Sequence, residues 1–194
     1  PPPPPPLLPR PPPRSTLHLT SAASDVYKRQ FLSMAIILGI DPGSRTTGYG
    51  LLEMENLKIK YLASGSIVLS DLDFKKRLLV LNESLGQLIR EYTPNQAAIE
   101  QVFVGKNASS ALKLGHARGV ALLAIAQANL TVSEYSAKVV KKAVTGSGGA
   151  NKKQVQTMIA HILKLRNIPP PDASDALAIA LCHGYSDNKA QLLR

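Results

Sequence analysis

Residues Ile36-Ile37-Leu38-Gly39-Ile40-Asp41-Pro42-Gly43-Ser44 decide how this chain is to be read. An apolar, β-branched run ends in one carboxylate and breaks at once into a Pro-Gly turn. A buried strand of this kind delivers a charged group to the edge of a sheet. Held mid-strand in a core, Asp41 would need a partner to offset its desolvation. The turn directly after it places the carboxylate at a rim instead. Gly48-Tyr49-Gly50 and the apolar Leu51 and Leu52 follow, so a second strand is expected to turn straight back on the first.

Outward from this hairpin, Lys58 to Leu69 alternates and is rich in β-branched residues, which predicts a third strand and an antiparallel meander. Asp71 to Asp73 offers N-cap chemistry for a helix from about Phe74 to Tyr92, with Leu78, Leu81, Leu85, Leu88, Ile89 and Tyr92 facing the sheet. Thr93-Pro94-Asn95 ends it. Ala97-Ala98-Ile99-Glu100-Gln101-Val102-Phe103 reads as a short buried strand, again spoiled by one carboxylate. Gly105-Lys106-Asn107 breaks that strand, and Asn107 caps a helix running to about Asn129. Its small residues, among them Gly115, Ala117, Gly119, Ala121 and Ala124, permit close packing on the sheet or on a second subunit. Thr131 to Tyr135 predicts a fifth strand, Ser136 to Thr145 a basic helix, and Gly146 to Gly149 a flexible loop. The helix that starts at Asn151 points Val155, Met158, Ile159, Ile162 and Leu163 inward, and Pro169-Pro170-Pro171 stops it before a last helix opens at Asp172. This order gives an α/β fold, a five-stranded mixed sheet flanked by helices.

The 194 residues and 44% hydrophobic content suit one domain with a sizeable core. Residues 1–33 differ. They open with six prolines and lack apolar periodicity, so they are expected to be a disordered, proline-rich tail, non-native in origin, with the functional domain spanning 34–194 from Met34. A genuine proline-rich extension is the alternative. The tail has no apolar core like that of a secretory signal. It carries four basic residues and one acid, so +7 of the formal +10 belongs to residues 34–194. That excess predicts a polyanionic partner, nucleic acid before membrane, because no basic amphipathic or long apolar segment is present. A single cysteine, Cys182, excludes an internal disulfide and any multi-cysteine zinc site, and its apolar neighbours predict a buried thiol in a reducing cytoplasm. The Gly146–Gly149 loop lacks the Gly-Lys-Ser/Thr ending of a nucleotide-binding P-loop and suits movement around a phosphate backbone better.

Asp172 and Asp175 stand three apart, so both project from one helix face. A simple N-cap accounts for Asp172 equally well, but Asp175 precedes an Ala/Leu/Ile stretch that must pack. With Asp41 and Glu100 they make four carboxylates without basic partners nearby in sequence. Clustered alone they would repel, and some would hold protons. Divalent metal resolves that conflict: hard Mg²⁺ takes oxygen ligands, and two ions about 3.5–4 Å apart stabilise the attacking and leaving oxygens of phosphodiester cleavage.

These motifs together resemble the RuvC Holliday-junction resolvases: Ile37 to Arg45 with Gly48-Tyr49-Gly50, Ala98 to Phe103, Asn107 with Ser110 to Gly115, Ala117-Arg118-Gly119, and Asp172 to Ala178. The resemblance covers Met34 to about Tyr185. It implies a ribonuclease H-like fold, a homodimer, and Mg²⁺-dependent (or Mn²⁺-dependent) nicking of two like-polarity strands of a four-way DNA junction, with two ions per active site. It also implies recombination and repair as the setting, and the RuvA and RuvB branch-migration proteins as partners. Asp41, Glu100, Asp172 and Asp175 match the metal-binding catalytic acids. Phe103 matches an aromatic that stacks on an unpaired base, against a plain reading as a core residue. Lys141 and Lys152 match residues that contact DNA near the cut, against a plain reading as solvated lysines. The glycine-rich hairpin behind Asp41 is then expected to let backbone and metal come close. Two rivals remain at this point. Actin-like ATPases and sugar kinases share the opening hairpin but need a second domain for which residues 34–194 leave no room. A junction-binding protein without cleavage would be expected to lack one of the four acids.

Overall fold

In β structure successive side chains point to opposite faces, and the opening run uses this to serve two cores at once. A computed structural model describes residues 34–55, 58–102 and 108–192. Met34–Asp41 (β1) pairs antiparallel with Thr46–Glu55 (β2), which pairs antiparallel with Lys58–Val68 (β3). Gln96–Glu100 (β4) lies parallel to β1 on its other side, and Thr131–Tyr135 (β5) lies parallel to β4. The sheet order is β3-β2-β1-β4-β5, the mixed five-stranded sheet that the sequence predicts.

Leu38 and Ile40 of β1 join Ile99 in a core closed by the helices Phe74–Tyr92 (α1) and Ala108–Gln127 (α2), chiefly through Leu81, Leu85, Ile89, Ala117, Ala121 and Ile125. Ile37, on the opposite face, joins Leu52 and Ala98 in a second core. That core is closed by Ala137–Thr145 (α3), Lys152–Ile162 (α4) and Pro171–Leu192 (α5). α5 is buried continuously from Ala176 to Gly184, as a helix apolar on all sides must be, and packs on β1 and β2. Cys182 lies there as a free, fully buried thiol.

Side-chain caps set two of the helix starts. Asp73 accepts the Lys76 N–H at 3.0 Å, and Thr93 closes α1 in the left-handed region. Asn151 and Gln154 form a reciprocal capping box at the head of α4.

Several expectations need correction. β4 ends at Glu100 rather than Phe103, and Gln101 is already exposed. α2 stops at Gln127, after which Asn129 turns with a φ of 54°. Within α4, Met158 is 37% exposed instead of facing inward. Leu78, Leu88 and Tyr92 are half-buried at the margins of α1's inner face. Asp172 is not an N-cap: α5 begins at Pro171, suited to the first turn because that position needs no N–H donor, and the Pro170 carbonyl accepts the Ser174 N–H at 2.9 Å. Phe103 and the Gly105-Lys106-Asn107 break lie outside the described residues.

Candidate active site

Register places Asp41 opposite Gly48 and Gly39 opposite Gly50. A Cβ at Gly39 would overlap the Ala176 carbonyl and come within 2.8 Å of the Ala180 nitrogen. One at Gly50 would come within 2.8 Å of the Leu177 nitrogen, and one at Gly48 would overlap the Asp172 carbonyl. What the glycines admit is therefore helix α5. With no side chains in the way, its first turn settles against the end of β1 and brings Asp172 and Asp175 to Asp41.

The parallel pairing of β1 with β4 sets Ile40 beside Ile99, so the two strands end together on Asp41 and Glu100. These carboxyls share a side-chain hydrogen bond. Asp41, Glu100 and Asp175 line a cavity of about 280 Å³ together with Lys141 from α3 and Lys152 from α4, against the apolar Val140, Val155 and Ile179. Lys152 Nζ lies 3.4 Å from Asp175 Oδ2. Asp172 stands outside the cavity lining, but its charge is felt by both Asp41 and Asp175. The acids lack basic neighbours in sequence; the fold supplies two from separate helices.

Burial is the largest influence on Asp41, followed by the charges of Glu100 and Asp175, and together they push its carboxyl up to about 8. Burial also raises Glu100, against the opposing effects of its hydrogen bond with Asp41 and of Lys152 and Lys141. Asp175 is raised by burial and by Asp172, and lowered by Lys152 and Lys141. Asp41 is thus the protonated member of a carboxylic acid–carboxylate pair, with Glu100 as the acceptor. Among the described residues no three His, Cys, Asp or Glu side chains converge closely enough to hold one ion as they stand. The donor set itself, carboxylate oxygens at the rim of a buried strand pair, is of the type a hard divalent ion takes.

A ribonuclease H-like sheet with carboxylates gathered where β1, β4 and α5 meet defines the class of protein. The family model described as "Crossover junction endodeoxyribonuclease RuvC" matches residues 37–183. A protein of that name from Pseudoalteromonas translucida is 54% identical over 154 residues, covering 79% of this chain and 88% of the relative. A solved structure of T. thermophilus RuvC in complex with Holliday junction substrate superposes with a TM-score of 0.76 at 31% identity, covering 80% of this chain and 96% of that one. The yeast mitochondrial Holliday junction resolvase shares the fold, with a TM-score of 0.60 at 16% identity over 88% of this chain and 87% of that one. The chain belongs to the RuvC family of crossover junction endodeoxyribonucleases, hydrolases of phosphodiester bonds.

Proposed function

We propose that residues 34–194 bind four-way DNA junctions as a homodimer and nick two strands of like polarity, with Asp41, Glu100, Asp172 and Asp175 as the catalytic acids. The observation that carries this reading is the meeting of three acids and two lysines, from five different elements, in one cavity at the carboxyl ends of β1 and β4. The junction substrate is inferred from the solved relative bound to one. The family's nucleases depend on metal, and we assign that role to Mg²⁺, or Mn²⁺, at two ions per site. Bound there, divalent ions polarise the phosphate and lower the pKa of attacking water.

The chain's own groups do the rest. Asp41 and Glu100 would hold a divalent cation from the ends of two rigid strands, and the proton that Asp41 carries would leave to solvent as the cation binds. Asp175 and Asp172 approach from α5 and complete an oxygen donor set. Lys141 and Lys152 meet phosphate oxygens beside the acids and neutralise the charge of the backbone being cut. For the second protomer, the outward stripe of α2, Leu112, Gly115, Gly119 and Leu123, offers an exposed apolar surface on one helix face. Paired sites related by two-fold symmetry fit paired cuts in a junction that itself approximates two-fold symmetry.

We place the protein with the RuvA and RuvB proteins in recombination and repair in the cytoplasm. No helix among the described residues is long and apolar enough to cross a membrane. The test is cleavage of a synthetic four-way junction beside a linear duplex of the same sequence, in Mg²⁺ and in EDTA. Symmetric nicks in the junction alone, abolished by EDTA, are expected. Equal cutting of the duplex, or cutting that survives EDTA, contradicts the proposal.

A further inference from the structure

The contact that carries α5 to the acids is close. Gly39 and Gly50 offer no side chains, and Ala176 and Ala180 of the helix offer only methyl groups. Apolar burial is non-directional, so the packing of Leu177, Ile179 and Leu181 on the sheet holds α5 close to the strands but gives no directional bond that sets how far along them it sits. Directional bonds are needed to fix its position, and the second core contains one connected set.

His183 lies in the buried stretch of α5 with 7% of its surface exposed and does not line the acidic cavity. Both of its ring nitrogens are engaged. Tyr135 Oη is 2.8 Å from Nδ1, and Gln96 Oε1 is 3.1 Å from Nε2. An amide oxygen only accepts, so Nε2 carries the hydrogen and the neutral ring accepts from the Tyr135 hydroxyl at Nδ1. Gln96 donates onward from its own Nε2 to Asp187 Oδ2 at 3.2 Å. One imidazole therefore ties the first residue of β4 and the last residue of β5 to α5.

Each tied point leads to the site. Tyr135 is the register partner of Glu100, and its carbonyl accepts the Gln101 N–H at 2.9 Å. Ser136 follows it directly and leads into α3, which carries Lys141 to the cavity. Asp175 lies eight residues before His183 on the same helix, just over two turns.

We propose that Tyr135, His183 and Gln96 form a positioning chain that fixes the offset between the strand-borne Asp41–Glu100 pair and the helix-borne Asp172 and Asp175. Tyr135 and His183 are positioning residues: they act through the elements they join and touch no substrate. The proposal rests on the active-site reading above.

Tyr135→Phe keeps the ring and removes only the hydroxyl. His183→Leu removes both bonds, and His183→Gln retains one donor and one acceptor. Three quantities are read for each variant: single-turnover junction cleavage across a Mg²⁺ titration, junction affinity in EDTA, and Mn²⁺ binding by calorimetry without DNA. Removing a group that hydrogen-bonds a metal ligand directly costs roughly 10–100-fold; Tyr135 acts one step further back, through β5 and α5, so Tyr135→Phe is expected at the low end of that range, needing about tenfold more Mg²⁺ for half-maximal cleavage and binding Mn²⁺ about tenfold more weakly. Junction affinity in EDTA stays unchanged, unfolding remains one transition, and His183→Gln recovers function that His183→Leu loses. A folded Tyr135→Phe with parental Mg²⁺ and Mn²⁺ dependence overturns the proposal, as does a loss of rate that merely tracks the unfolded fraction. If the unaltered chain does not cut junctions in Mg²⁺, the functional reading fails instead, while the Mn²⁺ calorimetry still decides the positioning claim.

Discussion

Asp41 is placed by β1, crowded by Glu100 and Asp175, and kept protonated by burial, and each of these works against the stability of the fold at neutral pH. Its pKa rises from an ordinary 3.8 to about 8 on folding, so the folded chain holds the proton more tightly than the unfolded one. Its favourable contribution is complete below about pH 4 and is lost as pH rises through about 8. In EDTA, Asp41→Asn should match the parent in stability near pH 4 and exceed it by an amount on the order of a few kcal/mol near pH 8. Urea unfolding at both pH values measures this; a gap that does not change with pH would contradict the pairing. Asp41 and Glu100 were legible in the sequence because each is a lone charge in an apolar run, Asp41 at its end before a Pro-Gly turn and Glu100 within the run from Ala97 to Phe103. That Lys141 and Lys152 reach the same cavity was not legible from spacing alone. Their neighbours in sequence are ordinary for a solvated helix, and only the packing of α3 and α4 beside α5 turns them toward the acids.

At the scale of elements, the five strands as elements, the limits of α1 and its Asp73 cap follow from alternation, periodicity and cap chemistry. The misses have local causes. β4 stops at Glu100 although Val102 and Phe103 continue the apolar pattern, because β5 pairs with it only as far as Tyr135. Met158 fits the helical period but falls at the edge of α4's buried face, where a long side chain reaches solvent. The role of the glycines was hidden because a turn and a packing floor use the same residue. Gly39 offers the sharpest test. An added methyl would strike the Ala176 backbone, and relief requires α5 to lift from the sheet. Overpacking costs typically about 1–3 kcal/mol, so Gly39→Ala should lower stability by at least that range and cut cleavage more than junction binding. Thermal unfolding and gel-shift titration together check this, and a variant with parental stability would disprove the close contact.

The whole molecule carries a formal charge of +10, and polyanion binding should be correspondingly sensitive to salt. Lys141→Ala should flatten the slope of log affinity against log salt by about one, as expected for one lost phosphate contact, at similar cost for every junction sequence. An unchanged slope from fluorescence anisotropy would place Lys141 off the phosphate backbone. Whether Asp41 holds the metal is decided by comparing the parent with Asp41→Asn on one labelled four-way junction in Mg²⁺. Cleavage and binding are measured on the same preparations. Even a partner behind a metal ligand costs roughly 10–100-fold, so removing a ligand itself should lower the cleavage rate by at least about 100-fold while junction affinity is retained. Cleavage by Asp41→Asn at the parental rate would show that Asp41 is not a metal ligand in the reaction.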